Sequence, residues 1–114
     1  LRHLTAGAPG AMTLQSTGVS AQADPDTVRI IMDEWAYKGA QALNTDIKAY
    51  ASRDGGTTYT QTPLTLDTTY ETGKTLVSGS VDISGQPAGS NMKYKVETLN
   101  NKNLKLHGAS LLWA

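Results

Sequence analysis

The sequence predicts an all-β protein, a sandwich or barrel of about seven or eight short strands. Short segments of alternating polar and apolar residues are separated by turn residues at the spacing typical of sandwiches and barrels. Charged residues make up 18% of the chain, below the usual share of about 25%, and threonine, which favours strands, is abundant. The best helical candidate, Glu34 to Leu43, contains Gly39 and could form little more than one turn.

The chain divides into an arm and a domain. Its 114 residues are enough for a single packed unit. Residues 1–11 contain Gly7, Pro9 and Gly10 and have no periodicity, so they are predicted to be an N-terminal arm or linker. Residues 12–114 are predicted to form the sandwich domain. Because the first residue is Leu1 rather than methionine, we expect a processed product or a segment of a longer protein.

The order of strands follows from the alternation. The predicted strands are 12–21, 27–37, 46–53, 57–61, 64–70, 76–83, 92–99 and 104–113. The second is apolar on both faces, with Val28, Ile30 and Met32 on one of them, which predicts a central strand. The third alternates, with Ser52 expected to point outward. In the last strand the apolar phase shifts near Gly108, which predicts a β-bulge.

The segment from Ser52 to Tyr59, with the sequence SRDGGTTY, has the clearest turn chemistry in the chain. Asp54 is expected to accept hydrogen bonds from backbone N–H groups of the turn. Gly55 and Gly56 can supply the positive φ angles of a hairpin, and Tyr59 can fold its ring back over it. The pattern resembles the Asp-box, a hairpin signature of sialidase propellers and secreted β-proteins, with tyrosine replacing the usual tryptophan. The resemblance implies that the turn residues are structural and not catalytic. They are Ser52, Asp54, Gly55, Gly56 and Tyr59.

The residue types that carry catalysis or bind metals are sparse. Cysteine is absent, and the two histidines, His3 and His107, have no metal-binding spacing. Asp33 and Glu34 are adjacent on a predicted strand, so their carboxylates point to opposite faces. No serine lies in a Gly-x-Ser-x-Gly context. We therefore expect no enzymatic activity, metal or other cofactor, although the turn Asp24-Pro25-Asp26 leaves a calcium site as the alternative there.

The net charge and the aromatic residues limit the classes of binding partner that we expect. Ten basic and ten acidic residues give a net charge of zero, which argues against nucleic acid as a partner. No apolar run reaches the roughly 20 residues of a membrane span. Trp35, Tyr37, Lys48 and Tyr50 are candidates for surface contact with a glycan, and outward Tyr50 next to Lys48 fits best. The alternative is that Tyr59 and Trp113 pack in or under the sandwich and that the other aromatic residues border an interface. We favour packing for Trp113.

Several segments together resemble a known module. They are NTDIKAY at 44–50, VDISGQP at 81–87, MKYKV at 92–96, LKLHG at 104–108 and the terminal Trp113. They are similar to a recurrent module at the end of tailed-phage virion proteins, especially tail-fibre and minor structural proteins of marine phages. The resemblance covers roughly 12–113 and implies a jelly-roll-like sandwich on the surface of an extracellular virion.

The resulting hypothesis is a fibre-like virion module for adhesion to host-surface polysaccharide and for virion assembly. Its partners would be other virion subunits, with a homo-oligomer expected and a trimer favoured, because the low charge and the arm suit contact with neighbours. Three alternatives stay open from the sequence. They are a capsid decoration or cement protein, a carbohydrate-binding module of a secreted protein, and a glycan-degrading tail domain.

Overall fold

The computed structural model describes residues 12–22, 24–35, 42–71, 74–99 and 105–114. These ranges contain nine strands, one or two more than the sequence predicts. They are β1 (Met12–Gln15), β2 (Val19–Ser20), β3 (Thr27–Trp35), β4 (Ile47–Ser52), β5 (Thr60–Thr62), β6 (Thr65–Glu71), β7 (Lys74–Asp82), β8 (Asn91–Thr98) and β9 (Lys105–Trp113). The single strand predicted at 12–21 is two short strands, β1 and β2. The predicted arm, 1–11, lies outside the described residues.

The strands form two sheets. One has five strands in the order β1-β8-β4-β5, with β2 pairing the same strand β8, and the other has four in the order β6-β7-β3-β9. All strand pairs are antiparallel. The chain passes repeatedly from one sheet to the other, as in Greek-key sandwiches. The prediction of an all-β antiparallel sandwich is confirmed.

The core lies between the sheets and follows the predicted alternation. Its buried apolar residues are Val28, Ile30, Met32, Ile47, Ala49, Ala51, Leu64, Val77, Ile83, Met92, Tyr94, Val96 and Ala109. As predicted, β3 is central, because it is hydrogen-bonded to β7 on one side and β9 on the other. Burial of a large aliphatic side chain contributes about 1.5–3 kcal/mol, so these alternating residues fix which face of each strand is turned inward.

The predicted bulge is confirmed in β9. Asp33 of β3 is paired with Gly108, whereas the next residue, Glu34, is paired with Leu106. His107 is therefore the extra residue, and Gly108 stands beside it. The extra residue reverses the phase of the strand, which turns Ala109 into the core.

Two side chains are placed differently from the prediction. Ser52, expected to point outward, is fully buried because its hydroxyl is taken up inside the turn that follows β4. Trp113, expected to pack within the sandwich, is 36% exposed. It is paired with Val28 and belongs to the inner face of its sheet. However, the edge of the facing sheet consists there of the two-residue strand β2, which is too short to cover an indole ring.

Candidate functional site

Strand register brings polar and aromatic side chains into a row across the outer face of the five-stranded sheet. Tyr50 on β4 lies opposite Lys95 on β8 and opposite Gln61 on β5. Gln15 on β1 lies on the other side of Lys95. Directly opposite residues on neighbouring strands have Cβ atoms about 5 Å apart. Four strands thus contribute to one row, which we call the outer-face row.

Lys95 is held between two tyrosine rings. Its Nζ lies 4.4 Å from the centre of the Tyr50 ring and 4.6 Å from that of Tyr59. Both distances are within the range of cation–π attraction, which is worth about 0.5–1 kcal/mol at exposed sites. The Tyr59 hydroxyl also lies 3.5 Å from Oε1 of Gln15. We call Tyr50, Tyr59 and Lys95 the tyrosine–lysine cluster.

Both tyrosines of this cluster stay protonated at neutral pH. A hydrogen bond with Glu97, together with burial and the charge of Glu97, raises the pKa of Tyr50 to about 12. Burial, with the nearby charge of Asp54, raises the pKa of Tyr59 above its ordinary value. The phenols therefore stay neutral beside the ammonium group of Lys95.

The turn after β4 determines where Tyr59 lies. The Ser52 hydroxyl is 2.7 Å from Oδ1 of Asp54 and accepts a 3.0 Å hydrogen bond from the N–H of Gly56. The N–H of Thr58 donates to the same Asp54 oxygen at 2.8 Å. Gly55 and Gly56 have φ angles of 75° and 91°, which residues that carry a side chain rarely adopt. The hydrogen bonds to Asp54 thus come from two and four residues away and close the loop before β5.

Gly56 lies directly against the side chains of Tyr59 and Lys93. The hydroxyl of Tyr59 lies 3.0 Å, and Cδ of Lys93 3.4 Å, from the position that a Cβ on Gly56 would take. The ring of Tyr59 is therefore folded back over the turn, and the stem of Lys93 packs beside it. A larger residue than glycine would push both side chains away.

The Asp54 carboxylate is ionised and takes part in the turn through Oδ1, whereas Oδ2 is buried with no hydrogen-bond partner among the described residues. Burial raises its pKa, but the hydrogen bonds from Thr58 and Ser52 outweigh burial, and the pKa of Asp54 falls below its ordinary value of 3.8. A carboxylate that holds its charge through backbone N–H groups is a structural acceptor.

Arg53 connects the turn to neighbouring loops. From the sequence, it was assigned no role. Its side chain is 7% exposed, and all five of its N–H donors have acceptors. These acceptors are the carbonyl oxygens of Pro25, Ser84, Gln86 and Pro87 and the Oδ1 of Asp26. Gln86 completes the arrangement, since its Oε1 accepts the N–H of Arg53 and its Nε2 donates to Ala51 and Thr60. Two loops, the one before β3 and the one before β8, are thereby fixed to the base of the hairpin.

A second feature is a cleft of about 260 Å³ where the two sheets part at one side. One wall is formed by β2 and β8, with Val19 and Met92, and the other by β9, with Leu111 and Trp113. Val19 is 53% exposed, and Leu112, on the outer side of β9, is 47% exposed. We call this cleft with its exposed apolar residues the mouth.

The predicted contact residues are separated by the fold. Lys48 and Tyr50 lie on the outer face, where Lys48 is paired with Glu97. Trp35 ends β3 in the other sheet, between Lys74 and Lys105 in register, and its side chain lies outside the described part. Tyr37 also lies outside it. The sequence placed Lys93 and Lys95 on the outward face of their strand but assigned them no role.

The described ranges contain no group of three or more His, Cys, Asp or Glu side chains arranged to hold a metal ion. Within the same ranges, no helix has the length and apolar character needed to cross a membrane.

Comparisons with known proteins identify no family. No protein-family model matches the chain, and no curated protein matches it. A similar solved structure is that of a family GH115 4-O-methyl-α-glucuronidase with specificity for decorated arabinogalactans, at 11% identity and a TM-score of 0.47. The match covers 96% of this chain and 14% of the glucuronidase. A likeness with so low a TM-score carries no weight for function.

Proposed function

We propose that this chain is a non-catalytic module of a tailed-phage virion, fibre-like in role, that adheres to polysaccharide on the host surface. The observation that carries the proposal is the tyrosine–lysine cluster, in which Lys95 is fixed between Tyr50 and Tyr59 on the outer face of a rigid sheet. A cation and phenol groups held in place are suited to binding a ligand and need no further ordering when it arrives.

The outer-face row suits a ligand rich in hydroxyl groups. Gln15 and Gln61 are exposed on the two strands that flank β8 and β4, and their amides can both donate and accept hydrogen bonds. Because these side chains stand on paired strands, their spacing is set by the sheet, which makes a binding site more precise than one on loops. A flat row of this kind matches an extended sugar chain.

The carboxylates near this face support binding rather than hydrolysis. Glycoside hydrolysis needs two carboxyl groups on opposite sides of the bond, about 5–10 Å apart. Asp54 is engaged within the turn, and Glu97 interacts with the Tyr50 hydroxyl. Neither group is positioned as a free acid or base, so the proposed role is adhesion.

Imaging of intact particles tests where the module resides. An antibody against this chain is bound to virions, and the particles are viewed by negative-stain electron microscopy. The proposal expects label at the tips of a few fibres at the tail. Label absent from every part of the particle would remove the virion assignment altogether.

The mouth favours a second candidate, a capsid decoration or cement protein. Val19, Leu112 and Trp113 expose apolar surface, and contiguous apolar surface of this kind is typical of contacts between subunits. In the same images this candidate expects label over the whole capsid. Light scattering of the purified chain adds the oligomeric state, for which the proposal expects a trimer.

A further inference from the structure

In the tyrosine–lysine cluster a cation covers one face of each tyrosine ring. Sugar rings that stack on an aromatic residue need an open ring face. In this structure the Nζ of Lys95 stands over both rings, at 4.4 Å from Tyr50 and 4.6 Å from Tyr59. The edge of Tyr59 is packed against Gly56. The group that the cluster presents to a ligand is therefore an ammonium fixed in position.

The outer face around this ammonium has a positive excess on a neutral chain. Lys93 and Lys95 alternate along the outward face of β8, about 6–7 Å apart, and Lys48 lies on the neighbouring strand. Neither Lys93 nor Lys95 has an ion-pair partner among the residues that the structure describes, where the recorded ion pair is that of Arg53 and Asp26. Two carboxylates lie nearby: Glu97 interacts with Tyr50, and Asp54 accepts hydrogen bonds within the turn.

Fixed and unpaired ammonium groups are suited to an anionic ligand. Ordering a lysine side chain costs conformational entropy, and the two tyrosines have already restricted Lys95. Opposite charge on the ligand would then meet Lys93 and Lys95 together, because both face the same way on one strand. The neighbouring amides of Gln15 and Gln61 would accept or donate hydrogen bonds to hydroxyl groups.

From these contacts we infer that the outer face binds acidic polysaccharide, with carboxylate or sulfate groups of the sugar chain on Lys93 and Lys95. The inference rests on the proposed adhesive function and specifies its ligand class. Uronate and sulfate groups share the relevant chemistry, a compact anion with several acceptor oxygens, and the experiment separates them. Single-stranded nucleic acid is less suited, because it is bound by stacking bases on aromatic faces, and Lys95 stands over the faces in this cluster.

Matched polymers provide the test. Dextran and dextran sulfate share a backbone and differ in charge, and polygalacturonate supplies carboxylates in place of sulfates. Binding of the full chain to each is measured by isothermal titration calorimetry at low and at physiological salt. We expect binding of at least one acidic polymer, weakened by salt because exposed charges are screened, and dextran bound at least roughly tenfold more weakly.

Two variants connect the binding to the site. Lys93→Gln with Lys95→Gln removes the two ammonium groups and is expected to weaken acidic-polymer binding roughly tenfold. Arg29→Gln removes one positive charge from the outward face of the other sheet, where Arg29 is exposed, and is expected to leave binding unchanged. Cooperative melting transitions confirm that both variants are folded. The lysine variant is expected to melt below the parent, because it loses the cation–π contacts of Lys95.

The possible results distinguish failure of this inference from failure of the proposed adhesive function. Dextran bound as tightly as the acidic polymers would overturn the inference and leave polysaccharide adhesion standing. Failure to bind these polymers or any member of a panel of bacterial surface polysaccharides would overturn both. Single-stranded DNA bound as tightly as dextran sulfate, or loss of binding in Arg29→Gln but not in the lysine variant, would overturn the assignment of ligand class and face.

Discussion

The hydroxyl of Ser52 lies 2.7 Å from Oδ1 of Asp54, two residues along the chain and inside the same turn. The N–H of Thr58 donates to that oxygen as well, at 2.8 Å. Asp54 thus closes the loop that presents Tyr59 to Lys95. The position of Tyr59, and with it the proposed binding face, depends on this turn.

Asp54→Ala should lower the free energy of unfolding by about 1–2 kcal/mol, similar to the loss of a capping side chain. Urea denaturation measures this difference. Asp54→Asn is the control, because it keeps an oxygen acceptor at the same position and should lose less. An unchanged stability in Asp54→Ala would show that the turn does not need the carboxylate.

The same residue predicts a dependence on pH. Because the pKa of Asp54 is lower in the folded chain than its ordinary value of 3.8, its ionised form stabilises the fold. This contribution is present above pH 3.8 and is lost as the pH falls through the lower folded value. The difference in stability between the parent and Asp54→Ala should therefore shrink in strong acid, as measured by thermal melts at neutral and at acid pH.

Arg53→Lys should cost at least about 2 kcal/mol, because a single ammonium cannot replace five N–H donors arranged in a planar fork. Asp26→Asn is the matched control. Its side chain is 73% exposed at the ion pair with Arg53, and exposed ion pairs are worth at most about 1 kcal/mol. If the two variants lost equal stability in urea denaturation, the ion pair would matter more than the carbonyl contacts.

Gly89→Ala should be destabilising by about 1–3 kcal/mol, as in other overpacked sites. A Cβ at Gly89 would overlap the carbonyl oxygen of Arg53, whereas a Cβ at Gly85 in the same loop would meet nothing within 4 Å. Gly85→Ala should leave stability unchanged or raise it by up to about 1 kcal/mol. Equal melting temperatures for the two variants would contradict the close packing of this loop beneath the turn.

The pKa of Tyr50, raised to about 12 by Glu97 and burial, should be visible in a titration followed by NMR of the tyrosine rings. Tyr50 should stay protonated at pH 11, and Glu97→Gln should move its midpoint down toward about 10. Since the folded pKa is raised, the stabilisation is present below pH 10 and is lost as the pH rises toward 12. A midpoint that does not change in Glu97→Gln would show that Glu97 does not raise the pKa of Tyr50.

The sandwich follows from the sequence because its signal is local. Met92, Tyr94 and Val96 alternate with charged residues over one short segment, and a shift of the strand by one residue would turn these core side chains toward solvent. The bulge at Gly108 is also visible as a change of phase. Trp113 was placed wrongly because its exposure depends on the length of β2 in the facing sheet, which no neighbouring residue reveals.

The proposed binding surface was only partly visible from the sequence. Alternation shows that Lys95 and Tyr50 point outward, but the contact of Lys95 with Tyr59 depends on how the hairpin folds back. Arg53 gave no signal, since its acceptors are carbonyl oxygens from loops around Pro25 and Ser84, about thirty residues away. Every residue has a backbone carbonyl, so acceptors of this kind cannot be recognised from residue types in the sequence.

The most direct test of the account is to map the bound polysaccharide on the folded chain. Amide shifts of the ¹⁵N-labelled protein are followed as the tightest-binding polysaccharide is added. We predict that the largest changes fall on Tyr50, Tyr59, Lys93 and Lys95 at the outer face of the five-stranded sheet. Changes confined to Val19, Leu112 and Trp113 at the mouth, or to the outward face of β3 around Arg29, would contradict the central claim.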